Sequence, residues 1–170
     1  MDTFKEQLVR KMPDKNDQIK KILIIFATCV LAVICFLILF GSVYSFIGIL
    51  LAAGVVYGGY YLLTSFLVEY EYILTNGDFD IDKITAQRSR KRLATIDLAT
   101  ATEFGEADGS LSISPNETLI KADANDPNQR NYYVRANHKS LGAVVMIFTP
   151  TEEMLELVKG SLPRKLRYNR

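Results

Sequence analysis

Few side chains in this sequence of 170 residues could carry chemistry. His138 is the only histidine, which excludes metal centres built on a pair of histidines and leaves any nucleophile a single possible imidazole base. Cys29 and Cys35 lie in an apolar run, where cysteine acts as a small hydrophobic residue. The sequence has no phosphate loop, dinucleotide-binding fingerprint or serine-elbow motif. We therefore expect a protein that is not an enzyme, with no catalytic residue, cofactor or metal ion.

One acidic pattern resembles the start of a calcium-binding loop. Asp78, Asp80 and Asp82 have the required alternate spacing. Lys83, however, stands where such a loop needs glycine, and Ser89 stands where it needs a bidentate glutamate. Calcium is therefore excluded, and because the aspartates alternate with apolar residues we expect them on the solvent face of a strand.

One basic cluster is a candidate contact for lipid or for a partner, at Arg88, Arg90, Lys91 and Arg92. Near an anionic leaflet each basic residue contributes about 1 kcal/mol, so four together could orient a domain on the membrane. The alternative is that they pair across strands with the three aspartates or are simply solvated. The whole chain has a formal net charge of only +1, so nucleic acid is not an expected partner.

The elements that position these residues begin with a membrane hairpin. None of the charged residues lies between positions 22 and 68. A membrane span needs about 20 apolar residues in a helix, so this run is too long for one span and fits two. We predict spans at residues 22–40 and 46–68, joined by a turn at Gly41 and Ser42. Both should be helical, because the bilayer core offers no water to unpaired backbone groups.

The flanks of this hairpin indicate its orientation. Lysines and arginines precede the first span and follow the second, and the turn has none. By the positive-inside rule we expect a multi-pass protein of the cytoplasmic (inner or plasma) membrane, with both termini cytoplasmic and the lipid bilayer as one partner. An aromatic belt at the interface is predicted from Tyr57, Tyr60, Tyr61, Phe66, Tyr70 and Tyr72.

Small residues in the second span predict a helix-packing face. Gly54 and Gly58 form a Gly-x-x-x-Gly pair, and Gly48 and Ala52 form a second small pair. Such pairs let helix backbones approach closely. We expect this face to receive the first span of the same chain, and self-association is the less favoured alternative.

Residues 1–21 form a basic, amphipathic segment. Phe4, Leu8 and Met12 recur every four residues, which predicts a short amphipathic helix stopped by Pro13. A helix of about ten residues is marginal in water, so a frayed tail is the alternative.

The pattern changes to strands after Val68. Residues 69–75 and 78–84 alternate on either side of Asn76-Gly77, the strongest short hairpin signal. Further strands are predicted at 92–98, 110–114, 117–122, 131–137 and 142–148, whereas 99–107 is ambiguous between strand and loop. The polar residues at 123–128 predict a surface loop.

A single helix should close this soluble domain, which we place at residues 69–163. Thr149 is predicted as its N-cap, with Pro150 at the first helical position and Glu152 completing a capping box. Gly160 and Pro163 should end it, before a basic tail at 164–170. Antiparallel strands followed by one helix predict an α+β domain.

These residues suggest a family. Two spans followed at once by Glu69-Tyr-Glu-Tyr-Ile-Leu-Thr-Asn-Gly77, then Arg88-Ser-Arg-Lys-Arg92 and Ile96-Asp97-Leu98, resemble bacterial membrane proteins with a pleckstrin-homology-like (PH-like) domain. The closest resemblance is to small two-span proteins of uncharacterised function. It implies a strongly bent antiparallel sheet or partly open barrel of about seven strands, capped by the C-terminal helix. Inositol-lipid binding is not carried over, because the first two strands are joined by a tight turn instead of the longer basic loop of lipid-binding relatives.

The sequence thus favours a membrane-anchored interaction or scaffold module. Its soluble domain would bind a protein partner at the cytoplasmic face, through an exposed sheet edge or the groove beside the last helix. The alternative is a domain that senses anionic lipid through residues 88–92. A membrane-bound enzyme is the least supported class.

Overall fold

The computed structural model describes residues 3–41, 43–109 and 111–167, and of Leu39 only the backbone. Ser42 in the predicted turn, Ser110 in a predicted strand, the first two residues of the N-terminal segment and the last three of the basic tail lie outside the described residues. The chain forms two compact units: Pro13–Leu67 is one, and Met1–Met12 together with Val68–Arg170 is the other. The elements in chain order are β1 (Phe4–Arg10), α1 (Lys15–Leu39), α2 (Ser45–Thr64), β2 (Val68–Thr75), β3 (Asp78–Thr85), β4 (Ser89–Asp97), β5 (Glu103–Glu106), β6 (Thr118–Ala122), β7 (Tyr132–His138), β8 (Gly142–Phe148), α3 (Glu152–Ser161) and α4 (Arg164–Arg167).

The first unit is a pair of packed helices. Both α1 and α2 are long and apolar enough to cross a membrane. Helix α1 begins at Lys15, before the apolar run, with Asp14 as N-cap and Asp17 in its first turn. Helix α2 ends at Thr64, and Val68, predicted as the last residue of the second span, already opens β2. At the end of the unit, the Lys21 ammonium lies 5.8 Å from the centre of the Phe66 ring.

The packing of α1 against α2 uses other glycines than the predicted pair. A Cβ atom at Gly59 would overlap the side chain of Thr28 on α1, and Gly48 is buried as well. Nothing lies within 4 Å of a Cβ atom placed at Gly54 or Gly58. Consecutive helical residues lie about 100° apart around the axis, so these two glycines flank the contact instead of forming it. The expectation that Gly54 and Gly58 receive the first span is therefore wrong, and self-association through them stays a prediction.

Ala52 belongs to the contact that the structure does form. It is partly buried and lies four residues after Gly48 and seven before Gly59, a spacing that keeps all three on one helix face. The second predicted small pair is therefore on the side of α2 that packs against α1.

The second unit contains two four-stranded sheets. The first has the order β1-β2-β3-β4 and is antiparallel throughout. The predicted β2–β3 hairpin turns at Asn76 and Gly77, both with positive φ, as a tight two-residue turn requires. The second sheet has the order β5-β7-β8-β6. Its β6–β8 pair is parallel, whereas antiparallel strands were expected. The connection from β6 to β7 leaves one strand position between them, and β8 returns into that position in the same direction as β6.

The N-terminal segment is the largest difference from the sequence prediction. Phe4–Arg10 is a strand, not a helix, and it pairs with β2 from Phe4↔Thr75 to Arg10↔Glu69. The pairing continues at Lys11, whose backbone N–H donates to the carbonyl oxygen of Val68 at 2.9 Å. Residues 3–12 therefore belong to the second unit instead of forming a separate segment.

Smaller corrections concern the ends of elements. Residues 111–114 lie in no strand, and the ambiguous segment 99–107 contains β5. Helix α3 begins at Glu152 with Thr151 as N-cap, whose hydroxyl accepts from Met154 N–H. Thr149 was the predicted cap, but its side chain is used in the core. Gly160 lies inside α3 instead of ending it.

The core lies between the two sheets and α3. Buried side chains from β2, β3 and β4 meet those of β7 and β8, and α3 adds Met154 and Val158. At its centre the rings of Tyr72, Phe79 and Phe148 contact one another with centroids 5.1 to 6.0 Å apart. The fold class is confirmed: two N-terminal helices precede a strand-rich α+β unit with a C-terminal helix. The sheets do not close into a barrel, which agrees with the bent sheet expected.

A buried polar network joins the two sheets inside this core. The Tyr72 hydroxyl donates to the carbonyl oxygen of Ala122 and accepts from the N–H of Thr149. The Thr149 hydroxyl accepts from Ala124 N–H at 2.8 Å and lies 2.7 Å from the side-chain oxygen of Asn131. Burial raises the pKa of both Tyr70 and Tyr72. These two tyrosines belong to the core, so their assignment to a membrane-interface belt is wrong.

Candidate functional site

The basic cluster lies on β4 and in the turn before it, and two of its members are ion-paired. Arg90 Nη2 lies 2.5 Å from a carboxylate oxygen of Glu71, and Arg92 Nη1 lies 2.6 Å from Asp80. Arg92 also binds both oxygens of Asp82. The cross-strand pairing that the sequence left open is therefore present for Asp80 and Asp82. Glu71 is a further partner that the sequence did not indicate.

Asp82 lies on the outer face of the sheet with Asp78 and Asp80, but a bulge in the neighbouring strand β4 places Arg92 over it. The register of β3 and β4 shifts between Ile81 and Asp82, so Ile81 pairs with Ala94 whereas Asp82 pairs with Arg92. The extra residue, Leu93, changes the alternation along β4, so that Ala94 faces the core whereas Arg92 lies on the outer face beside Asp82. The side chain of Asp82 is only 4% exposed, beneath the guanidinium group of Arg92.

Glu71 occupies the neighbouring position in the same row of the sheet. It pairs in register with Leu8 on one side and with Asp82 on the other. Burial raises the pKa of Glu71, a hydrogen bond with Glu6 raises it further, and the charge of Arg90 acts in the opposite direction. The guanidinium groups of β4 thus neutralise acids that the sheet itself has buried.

The other two members of the cluster point elsewhere. Arg88 follows a tight turn in which Ala86 and Gln87 have positive φ, and it is exposed. Lys91 is exposed on the face of β4 opposite to Arg90 and Arg92. The four side chains therefore do not form one positive surface. The face that holds Arg90 and Arg92 is rich in carboxylates, with Glu6, Glu69, Glu71, Asp78, Asp80, Asp82 and Asp97 against Arg10, Arg90 and Arg92.

A polar pocket of about 310 Å³ lies on the outer face of the second sheet, beside Glu103, Glu106 and Asp108. Its charged groups bind one another. Arg135 pairs with Glu103 and lies 2.7 Å from Glu117, and it donates to the carbonyl oxygen of Ser112 at 2.9 Å. These contacts hold the 107–117 loop to β7. Among the described parts of the chain, no group of three or more His, Cys, Asp and Glu side chains is placed to hold a metal ion.

An open groove lies between the start of α3 and the second sheet. It has a volume of about 620 Å³ and is lined by Gln129, Arg130, Tyr132, Pro150, Thr151, Glu152 and Leu155. Its wall contains the Tyr132 ring, which is stacked on Phe104 of β5 at 5.9 Å with an angle of 11° between the planes. The groove therefore combines an aromatic wall with polar groups at its rim.

The loop that borders this groove is held by a buried carboxylate. Asp126 accepts from the backbone N–H of Asn128 at 2.9 Å and from the side-chain amide of Gln129 at 3.1 Å. The polar residues at 123–128 do form a loop, as predicted, but Asp123 and Asp126 are buried in it instead of lying on its surface. A groove beside the last helix was predicted from the sequence, but none of these lining residues was named, because they come from two separate loops, β7 and α3, and no single motif marks them.

The architecture agrees with a match to a protein family. The family described as Bacterial PH-like domain (DUF6106) matches residues 1–168. The chain belongs to this family. The match covers α1 and α2 as well as the PH-like domain, and it includes β1. No curated protein and no solved structure matches the sequence.

Proposed function

We propose that this protein is a membrane-anchored, non-enzymatic interaction module of the cytoplasmic membrane. Helices α1 and α2 cross the bilayer as a hairpin with both termini in the cytoplasm. The PH-like domain binds an extended segment of a protein partner in the groove between the start of α3 and the second sheet. Membership of a PH-like family supports this proposal, because PH-like domains are often interaction modules and are typically non-catalytic.

The groove carries the proposal. Its volume of about 620 Å³ is typical of a site for a few side chains, and the stacked rings of Tyr132 and Phe104 offer an apolar surface. β5 is an end strand of its sheet. Ala107 donates to Asn131 across the β5–β7 pair, so the alternation of an antiparallel ladder turns the backbone groups of Phe104 towards the open side. A partner segment can therefore extend the sheet at β5 while its side chains enter the groove.

Anionic lipid is the second candidate ligand, through Arg88, Arg90, Lys91 and Arg92. The exposure of Arg88 and Lys91 favours it. Opposing it, Arg90 and Arg92 are paired with acids, and the carboxylates on their face repel an anionic surface. Replacing only Arg88 and Lys91 by Gln keeps the arginines that neutralise buried acids and distinguishes the two functions: a lipid sensor would lose its preference for anionic over zwitterionic vesicles, whereas a groove binder would keep its partner.

The test of the groove is photo-crosslinking in the full-length protein in its own membrane. A benzoylphenylalanine residue replaces Leu155 in the groove or, as a control, Glu156, which lies about 100° further around α3 and is exposed. We expect a discrete protein adduct at position 155 and none at 156. The adduct should persist at high salt, which screens lipid electrostatics, and should fall when Arg130 at the rim is changed to Glu. Identical adduct patterns at 155 and 156, or lipid adducts alone, would disprove the proposal.

A further inference from the structure

Strand β1 offers an open backbone edge. It is the first strand of its sheet, and among the described strands β2 is the one that pairs with it. Thr3 accepts from Asn76 N–H, and Lys11 donates to Val68, so the odd-numbered residues turn their backbone groups towards β2. In an antiparallel ladder the alternate residues point the other way. The N–H and C=O groups of Glu6, Leu8 and Arg10 therefore face the open side.

The side chains on this edge are unusual for an end strand. Phe4 is 66% exposed, Leu8 57% and Met12 47%. Glu6 and Arg10 are exposed between them. End strands are normally protected by charges or a covering element, because an exposed apolar edge pairs readily with another strand. The exposed row along β1 and just after it instead consists of Phe4, Glu6, Leu8, Arg10 and Met12, in which apolar residues alternate with one acid and one base.

This row is complementary to itself. If a second β1 is placed antiparallel with its centre at Leu8, Leu8 faces its own copy and Glu6 faces Arg10 of the other chain. Phe4 then lies near Met12 of the other chain. The same register joins residues whose backbone groups are open, so both the side chains and the hydrogen bonds fit. We propose that a second copy of this chain binds along β1 and joins the two first sheets into one continuous sheet.

The geometry sets the extent of this interface. Pairs of Glu6 with Arg10, Leu8 with Leu8, and Arg10 with Glu6 would form about six backbone hydrogen bonds. The ladder ends there, because Met12 already donates its N–H to Ala124 at 2.7 Å. Since each chain contributes the same residues, the contact is closed and two-fold, and it stops at a dimer. It shares no residue with the groove, so either proposal can fail without the other.

Cysteine crosslinking in the membrane tests the register. With Cys29 and Cys35 changed to Ala, Leu8→Cys places two thiols at the two-fold axis. Directly paired residues of this type have Cα atoms about 5.5 Å apart, within the range for a disulfide. We expect at least about tenfold more crosslinked dimer than for the control Ser89→Cys, at the exposed start of the opposite end strand β4. Equal yields at the two positions, or a Leu8→Cys adduct with a different protein, would overturn the proposal.

Charge reversal tests the pairing itself and controls for folding. Glu6→Arg and Arg10→Glu, each alone, place like charges opposite each other and should lower the Leu8→Cys crosslink about tenfold or more. The double variant restores opposite charges and should recover the crosslink. If both single variants crosslink like the parent, or if the double variant is as poor as the single ones, then a second β1 is not the partner.

Discussion

The backbone N–H of Thr149 donates a hydrogen bond of 3.1 Å to the hydroxyl oxygen of Tyr72 in the interior of the PH-like domain. Tyr72 lies on β2 in the first sheet, and Thr149 directly follows β8 in the second. The same hydroxyl donates to Ala122 at the end of β6. The hydroxyl of Tyr72 thus pairs with two backbone groups, at the ends of β6 and β8, that would otherwise be buried without a hydrogen-bond partner.

Changing Tyr72 to Phe should lower the free energy of unfolding by about 1–3 kcal/mol. The variant keeps the ring but leaves the Thr149 N–H and the Ala122 carbonyl group buried and unpaired. Thermal unfolding of the detergent-solubilised chain, followed by circular dichroism, measures the change. Tyr60→Phe, at an exposed position of α2, is the matched control and should change stability by less than about 0.5 kcal/mol. A Tyr72→Phe variant as stable as this control would contradict the role of the hydroxyl.

The buried acid at position 82 should be far more sensitive than its neighbour in the sequence pattern. Asp82→Asn removes the charge that neutralises Arg92. Because the Asp82 side chain is only 4% exposed, the free energy of unfolding should fall by about 2–4 kcal/mol. Asp78→Asn, at an exposed position of the same strand, should cost less than about 0.5 kcal/mol. Chemical denaturation of both variants checks the difference. Equal losses would mean that Arg92 does not cover Asp82 in solution.

The two adjacent glycines of α2 should respond differently to a methyl group. Gly59→Ala places a Cβ atom against the side chain of Thr28 and should destabilise the helical hairpin by about 1–3 kcal/mol. Gly58→Ala meets nothing within 4 Å and should be neutral or slightly stabilising, because alanine favours a helix. Unfolding in a denaturing detergent measures both. A larger loss at Gly58 would instead favour the self-association face that the Gly-x-x-x-Gly pair suggests.

The stability of the PH-like domain should fall at alkaline pH, in part through Tyr133. Burial raises the pKa of Tyr133 to about 12, and the carboxylate of Glu103, 2.7 Å from its hydroxyl, raises it as well. An unfolded tyrosine titrates near pH 10, so the folded state holds this proton more tightly. Its contribution to stability is complete below about pH 10 and is lost as the pH rises through about 12.

The measurement for Tyr133 is the unfolding free energy as a function of pH, together with the ultraviolet absorbance of tyrosinate. Tyr133→Phe should flatten the alkaline decline between about pH 10 and 12. Glu103→Gln should lower the pKa of Tyr133, because it removes the charge that opposes ionisation of the phenol. An unchanged decline in the Phe variant would assign the alkaline sensitivity to other groups.

Local chemistry was sufficient to predict some elements of this fold. Asn76 and Gly77 favour positive φ at both positions of a two-residue turn, so the β2–β3 hairpin follows from these residues alone. The uncharged run predicts two apolar helices by length and composition. Strand β8 was predicted with its observed bounds, and α3 to within two residues of its start.

Strand β1 could not be distinguished from a helix by its spacing. Phe4, Leu8 and Met12 are four residues apart, a spacing that is near the helical repeat of 3.6 and is also even, so it fits one face of a strand equally well. The choice is made by β2, which the chain reaches only after α1 and α2. A contact between distant segments therefore decides the structure here.

The candidate sites depend on long-range geometry as well. Asp82 is buried because a bulge at Leu93 of β4 places Arg92 over it on the outer face of the sheet, and no residue type at these positions signals the bulge. The groove combines a loop held by Asp126 with the first turn of α3. The N-cap of α3 is Thr151 instead of the predicted Thr149, because the Thr149 side chain is hydrogen-bonded in the core. The sequence shows the basic cluster and offers Asp80 and Asp82 on β3 as its partners, but it does not indicate Glu71 on β2.

The pairing of β1 with β2 makes the helical hairpin of α1 and α2 an insertion within a folded domain. In chain order, Pro13–Leu67 takes the place of a turn between two neighbouring antiparallel strands, and Lys11 and Val68 close that turn with a backbone hydrogen bond. Lengthening a connection costs little conformational entropy, so a domain can accommodate such an insertion. During synthesis β1 emerges first and has to wait unpaired until the hairpin has been made. A water-soluble version of the domain should therefore retain residues 3–12, joined to Val68 by a short engineered turn.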